Sequence, residues 1–313
     1  MNGRSTDSSR RRLPEWLKKR AVPGEAIHAI KRGLRDSALH TVCEEARCPN
    51  LGECFSRGTA TMMIMGDTCT RRCGFCAVKG GVPGPLDAGE PSRVALQVKV
   101  MKLKHAVVTS VTRDDLPDGG GAHFAQTIAE IRRLCPEITI EVLTPDFCGS
   151  EEAIGTVCSA APDIFNHNIE TVERLTPVVR DRRASYRRSL DVLRIAAKTL
   201  PFVRGGKGGV DHDLPPLTPP YKGGGLIKSG LMVGLGETCN EVAGALLDLK
   251  EAGCDIVTIG QYLRPSKDAL PVVSYVEPST FEKYRENALN IGFKTVFSGP
   301  FIRSSYLADK ALL

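Results

Sequence analysis

Two cysteine trios in close succession, Cys43-x4-Cys48-x5-Cys54 and Cys69-x3-Cys73-x2-Cys76, constrain this chain more than any other feature. They hold six of the eleven cysteines among its 313 residues. A C-x3-C-x2-C window arises by chance in about one in a hundred chains of this length and cysteine content. The opening residues MNGRSTDSSRRR lack the apolar stretch of a secretion signal, and no run approaches the roughly 18 apolar residues of a membrane span. The expectation is a cytoplasmic chain, in which thiols stay reduced and clustered cysteines serve metal or redox chemistry rather than disulfides. The isolated Cys135, Cys148, Cys158, Cys239 and Cys254 lie among apolar neighbours and read as small core residues.

The pattern beyond the trios sets the fold class. Apolar runs at Met62–Met65, His105–Val111, Thr139–Thr144, Asp163–Asn168, Ser229–Gly234 and Ile256–Tyr262 read as strands. Between them, apolar residues recur at helical spacing: Phe124, Ile128, Ile131 and Leu134; Leu190, Leu193 and Ile195; Val242, Leu246 and Leu249. Six successive βα units imply an α/β fold, a partial (β/α)6 TIM-type barrel whose chemistry lies at the C-terminal ends of its strands. The chain then divides into a basic flexible arm (1–20), an N-terminal extension carrying the first trio (21–60), the barrel (61–274) and a C-terminal extension (275–313), both extensions placed to cover the barrel mouth. In the last, a helix is expected over about Ser279–Ile291, followed by the apolar run Thr295–Ser298. Seven basic and two acidic side chains fall in residues 1–20, so most of the net charge of +6 resides in the arm and the body is nearly neutral. With Trp16 its one aromatic ring, the arm reads as a solvated tail rather than a nucleic-acid surface. Residues 202–226, FVRGGKGGVDHDLPPLTPPYKGGGL, have neither helical nor strand period and read as a surface insertion.

Three thiolates in one tight loop can hold three irons of a [4Fe–4S] cube and leave the fourth open to a ligand, whereas closed structural sites normally use four protein ligands. A zinc site completed by His40 is the alternative, and the three-plus-two spacing of the trio differs from the usual zinc knuckle C-x2-C. Cys69-Thr-Arg-Arg-Cys73-Gly-Phe75-Cys76 resembles the signature of the radical S-adenosylmethionine (SAM) superfamily, with its aromatic residue before the last cysteine. That resemblance implies that SAM chelates the open iron and is cleaved to methionine and a 5′-deoxyadenosyl radical. The first trio, within HTVCEEARCPNLGECF, looks like the auxiliary-cluster motif of lipoyl synthases. The likeness extends through VTSVTRDDLPDGG, PDIFNHNIETV, KSGLMVGLGET, GQYLRPS and SGPFIRSSY, from Arg12 to Asp309. Enzymes of the biotin synthase type share the second trio without the first or the RSSY motif. A zinc- or nucleic-acid-binding protein is the reading from another class.

The resemblance to lipoyl synthases implies two [4Fe–4S] clusters and SAM, with the second cluster on Cys43, Cys48, Cys54 and a serine of Arg303-Ser304-Ser305-Tyr306; Ser305 is favoured over Ser304. It implies insertion of two sulfur atoms, taken from that auxiliary cluster, at C6 and C8 of an octanoyl group, with two SAM consumed. Implied partners are octanoylated lipoyl carrier domains (E2 subunits and the glycine cleavage H protein), an electron donor of ferredoxin or flavodoxin type, and an iron–sulfur cluster repair or carrier protein. No nucleic acid and no membrane span are expected. Gly230-Leu-Met232-Val-Gly234-Leu-Gly236-Glu237 resembles the superfamily's G-x-I-x-G-x-x-E strand, which brings Met232, Gly234 and Glu237 to SAM along with Phe75. Asn166, Asn168 and Glu170, two apart at a strand end, point the same way and suit ribose hydroxyls; a solvated strand end is their other reading. By position, Arg113-Asp114-Asp115 lies where relatives hold the SAM ammonium, and its carboxylates suit that charge. Lys228, Gln261, Tyr262, Arg264 and Arg303 are polar candidates for the site mouth or the substrate.

Overall fold

The structure, a computed structural model, describes residues 13–19, 24–57, 59–200, 225–306 and 308. Arg4, Arg10, Arg11, Arg12 and Arg20 of the basic arm lie outside the described residues, as does almost all of the 202–226 segment.

Along the chain come α1 (Glu25–Asp36), β1 (His40–Thr41), α2 (Val42–Glu45), α3 (Leu51–Ser56), β2 (Thr61–Ile64), β3 (Thr68–Cys69), β4 (Lys79–Gly80), α4 (Glu90–Val100), β5 (His105–Ser110), α5 (Gly121–Leu134), β6 (Thr139–Leu143), α6 (Glu151–Ser159) and β7 (Ile164–Asn166). After them lie α7 (Thr176–Val179), α8 (Tyr186–Thr199), β8 (Leu226–Val233), α9 (Cys239–Glu251), β9 (Ile256–Gln261), α10 (Pro278–Ile291) and β10 (Thr295–Gly299). One sheet takes the strands in the order β1-β2-β5-β6-β7-β8-β9-β10. Only β1 runs antiparallel to its neighbour. Among the described residues no pairing joins β1 to β10.

β2, β5, β6, β7, β8 and β9, the six expected strands, each lead into a helix, and α4/α5, α5/α6, α6/α8 and α9/α10 pack side by side. Parallel strands covered on both faces read as continuous apolar runs, as the wholly buried β2 (Thr-Met-Met-Ile) and β9 do. The helical stripes close the other layer. Phe124, Ile128, Leu193, Val242, Leu246 and Leu249 are fully buried, each contributing about 1.5–3 kcal/mol of apolar transfer. Helix starts follow local chemistry. Ser150 and Ser185 accept from Ala153 N–H and Arg188 N–H, and Thr238 with Glu241 forms a capping box on α9.

Three differences from expectation bear on the site. The run 295–298 is not part of a lid: β10 pairs in parallel with β9, so α10–β10 continues the repeat as a seventh strand. Lys19 is not in a solvated tail, since its ammonium bonds Asn50 Oδ1 (2.6 Å) and Glu53 Oε2 (2.7 Å) and lies over the Phe301 ring at 4.7 Å. Of the five isolated cysteines, only Cys158 and Cys254 are in the core. Cys148 is exposed in the turn that follows β6, and Cys239 is exposed at the first position of α9, because each sits at an element end rather than on a packed stripe. No described helix is long and apolar enough to cross a membrane.

Candidate metal and cofactor site

The Cys69–Cys76 loop leaves β2 at the C-terminal end of the sheet and is closed by the two-residue parallel ladder β3–β4. Each of its sulfurs accepts from backbone: Cys69 Sγ from Arg71 N–H (3.4 Å) and Thr112 N–H (3.3 Å), Cys73 Sγ from Asp181 N–H (3.4 Å), Cys76 Sγ from Val78 N–H (3.5 Å). Burial pushes the Cys76 thiol up to about 12 and raises that of Cys73, and the neighbouring loop cysteines add to both. The crowded Cys73 and Cys76 thiols resist ionising on their own, whereas iron would offset the charge and the N–H donors would tune the thiolates.

Arg71, between the cysteines, anchors the loop. Its guanidinium bonds Asp114 through Nε (2.9 Å) and Nη2 (2.8 Å) and Asp146 through Nη1 (2.8 Å) and Nη2 (2.6 Å). Asp114 also receives Arg183 at 3.1 Å and the Cys148 thiol at 3.2 Å. Asp114 is therefore saturated by arginine and is not a free partner for an ammonium, and Arg113 turns away to Asp115 (2.7 Å). Neither Arg113 nor Asp114 lines the cavity described below, which corrects their expected role.

The first trio spreads over α2, the turn after it and α3. Cys43 is buried against β2, and burial pushes its thiol up to about 12 although Thr61 N–H and hydroxyl bonds to it pull the other way. Two chain ends meet around this trio. Asn50 Nδ2 donates to Phe301 O (2.7 Å) and Tyr306 Oη to Glu53 Oε1 (2.6 Å), which ties α3 to the Arg303–Tyr306 loop. Among the described residues, the one set of three His, Cys, Asp or Glu ligand atoms within 4.8 Å of one another is Asp114, Asp146 and Cys148, and Arg71 fills it. In each cysteine trio at least one pair of sulfurs is therefore more than 4.8 Å apart, beyond the roughly 3.8 Å S···S separation of a 2.3 Å Zn–S tetrahedron.

Both trios open on a single cavity of about 550 Å³, within the roughly 300–1,000 Å³ of small-molecule sites. Phe75, Met232, Asn168, Glu170, Arg303, Ser304 and Ser305 line it. Phe75 and Met232 belong to one apolar patch with Tyr262. Gly230 also lines it, and a Cβ there would meet Thr258 Oγ1 at 2.3 Å. Other candidates fall elsewhere. Asn166 lies beneath the cavity, wholly buried, and Lys228 is buried beside it, with Nζ at 2.9 and 3.0 Å from the Glu141 carboxylate; its place is the barrel interior, not the mouth. Glu237 spends its carboxylate on the N–H groups of Gly234 (2.5 Å) and Leu235 (2.9 Å), fixing a turn in which Gly234 has φ +99°. Gln261, Tyr262 and Arg264 line the cavity, yet their polar atoms bond backbone: Gln261 Nε2 to Ser274 O (3.0 Å), Tyr262 Oη to Leu270 O (2.8 Å), Arg264 Nε to Ala269 O (2.8 Å).

Arg180 and His167 are lining residues that the sequence reading missed. Burial lowers His167 to about 4, aided by Arg180, so the ring is neutral. Its Nδ1 donates to Thr144 O (2.9 Å), Nε2 accepts from the Ser189 hydroxyl (2.9 Å), and that oxygen accepts from Arg180 Nη1 (2.7 Å). Arg180 Nε has no partner among the described residues, a donor left over for an anionic ligand. No periodicity marks Arg180, which follows the short α7; only its neighbourhood to Cys73 through Asp181 gives it meaning.

Residues 63–208 match the family model of the radical SAM superfamily, and residues 2–48 that of the N-terminal domain of lipoyl synthase. The lipoyl synthase of Caldicellulosiruptor saccharolyticus is 50% identical over 297 residues, covering 95% of this chain and 96% of its own. That of Pyrobaculum calidifontis is 49% identical, covering 96% of each chain. Among solved structures, SuiB of Streptococcus suis bound to S-adenosylmethionine aligns with a TM-score of 0.53 at 8% identity, over 79% of this chain and 54% of its own. Methylornithine synthase aligns at 0.50 and 12% identity, over 80% of this chain and 73% of its own. These two likenesses speak to the fold alone. Near-complete coverage at half identity, with both family models matched, places the chain in the lipoyl synthase family of radical SAM enzymes.

Proposed function

We infer that the chain carries out its family's reaction, insertion of sulfur at C6 and C8 of an octanoyl group linked to a lysine of a carrier domain. The observation that carries this is the shared cavity: the cysteine loop for the SAM cluster and the first trio face the same space. Cys69, Cys73 and Cys76 would hold the SAM-chelating cube, and Cys43, Cys48, Cys54 and Ser305 the auxiliary one. Bound there, the first cluster and SAM supply a radical able to remove hydrogen from carbons too weakly acidic for general-base chemistry.

The chain's own residues do the rest. Phe75 and Met232 form an apolar wall suited to adenine, Asn168 and Glu170 offer polar edges to ribose, and Arg180 offers Nε to the SAM carboxylate. The auxiliary cluster is a substrate in this scheme, giving up its sulfide. Ser305 suits release: its hydroxyl has no hydrogen bond among the described residues, it lines the recess beside Cys43 and Cys54, and oxygen is a harder, more readily lost iron ligand than thiolate. The carriers are octanoylated E2 and H-type domains, with a ferredoxin- or flavodoxin-type donor and a cluster-repair protein between turnovers.

Anaerobically prepared protein should contain about eight irons and eight sulfides per chain. With SAM and a reductant it should convert an octanoyl-lysine peptide to the lipoyl product by mass spectrometry. About four irons, or zinc in their place, would reject the second cluster.

A further inference from the structure

A chain of buried polar groups climbs from the sheet interior to the C-terminal loop. Lys228 on β8 and His105 on β5 flank the Glu141 carboxylate of β6, with Nζ at 2.9 Å from Oε1 and Nε2 at 3.3 Å from Oε2. Asn166 Nδ2, at the end of β7, donates both to Glu141 Oε1 (2.8 Å) and to Ser304 Oγ (2.9 Å), and Ser304 Oγ lies 2.9 Å from Asn168 Oδ1.

Donor and acceptor logic gives this chain one direction. An ionised carboxylate only accepts, so Asn166 must present its amide nitrogen to Glu141. Ser304 must then accept from Asn166, and its own proton goes to Asn168 Oδ1. Burial pushes the Glu141 carboxyl up, but Lys228 and His105 outweigh it and hold the group ionised, which keeps the direction fixed. Ser304 therefore has its proton and one of its two lone pairs committed to strand ends. The adjacent Ser305 hydroxyl has neither committed among the described residues and lines the recess with Cys43 and Cys54.

We propose that Ser304 is a positioning residue: the Glu141–Asn166–Ser304–Asn168 chain docks the RSSY loop on the strand ends, so that Ser305 stays beside the first cysteine trio whether or not it is bonded to iron. A loop docked independently of its metal bond can release that bond and be refilled without leaving the mouth. The inference rests on the reading of the trio and Ser305 as a cluster site.

The test compares cluster-loaded full-length protein with its Ser304→Ala, Ser304→Thr and Ser305→Ala variants, by hydrogen exchange of the 299–306 backbone, iron content, and the ratio of carbon–sulfur product to 5′-deoxyadenosine. Ser304→Ala should keep its iron, exchange these amides about tenfold faster, and lose product several-fold more than 5′-deoxyadenosine. Ser304→Thr, which keeps a hydroxyl, should restore both readouts. Ser305→Ala should lose the serine-bound iron. Wild-type exchange and coupling in Ser304→Ala would overturn the proposal. So would loss of iron from Ser304→Ala with retention in Ser305→Ala, which would make Ser304 the ligand. Absence of any carbon–sulfur product from the wild type would count against the family reaction instead, and the exchange comparison would still decide the docking role.

Discussion

At the scale of single residues, the two trios divide by role. Replacing Cys73 by alanine should abolish 5′-deoxyadenosine formation, because that loop alone offers an open iron; cleavage at the wild-type rate would refute the assignment. Cys48→Ala should still cleave SAM yet form no carbon–sulfur bond, checked by chromatography of both products. The cysteine trios, Phe75, Met232 and both serines could be singled out from sequence because their spacing is local and specific, and all of them line the one cavity. Arg71 could not be singled out in that way. Its partners Asp114 and Asp146 are 43 and 75 residues away, and only folding reveals that it anchors the loop. Arg71→Met would remove the shared cation between two largely buried carboxylates, leaving Asp114 with only the Arg183 cation (3.1 Å) and the wholly buried Asp146 with only the looser Arg188 (3.6 Å). It should destabilise the protein by about 3–5 kcal/mol, read as a lowered urea midpoint, and loss of under 1 kcal/mol would show the pair network to be dispensable.

Elements carry the next set of consequences. The segment outside the described residues joins α8 to β8 at the N-terminal end of that strand, whereas the cysteine loops gather at the opposite ends. A Cβ on Gly225 would meet Leu200 Cδ2 at 2.2 Å, so the points where the segment leaves and re-enters are neighbours and a short turn can span them. Deleting most of residues 202–224 should leave turnover within about twofold; a folded deletion variant without turnover would assign the segment a role. Strand interiors also set the acid limit. Burial lowers His167 from 6.5 to about 4, and Glu141, despite its burial, is held below its usual 4.5 by Lys228 and His105. Each makes the native state bind fewer protons than the unfolded chain, so both contributions are complete above 6.5. The His167 share should be lost as pH falls from 6.5 towards 4, and the Glu141 share below 4.5. Thermal melts against pH check this, and a melting temperature that climbs on acidification through that range would contradict it.

For the whole molecule, the decisive geometry is that described segments from the N-terminal and C-terminal parts of the chain converge on one mouth. Lys19, Asn50 and Glu53 from the N-terminal side grip Phe301 and Tyr306 from the C-terminal side, across as many as 287 residues of sequence between Lys19 and Tyr306. The sulfide-donating cluster proposed there would be consumed by use, so unrepaired enzyme should make about one product per chain. Enzyme with isotopically labelled cluster sulfide and unlabelled sulfur in solution should yield labelled product by mass spectrometry, whereas unlabelled product would refute cluster donation and leave SAM cleavage untouched. The sequence alone determined the six βα units, the helical stripes and the two cysteine sets, because periodicity and short-range spacing are written locally. Tertiary structure alone decided that β10 is a seventh parallel strand, that Lys228 lies in the interior, that Asp114 serves Arg71, and that Ser304 is bonded to strand ends while Ser305 has no hydrogen bond among the described residues. Each of these depends on which charged or polar group finds a partner far along the chain, and burial makes that choice only once the sheet has brought the partners together.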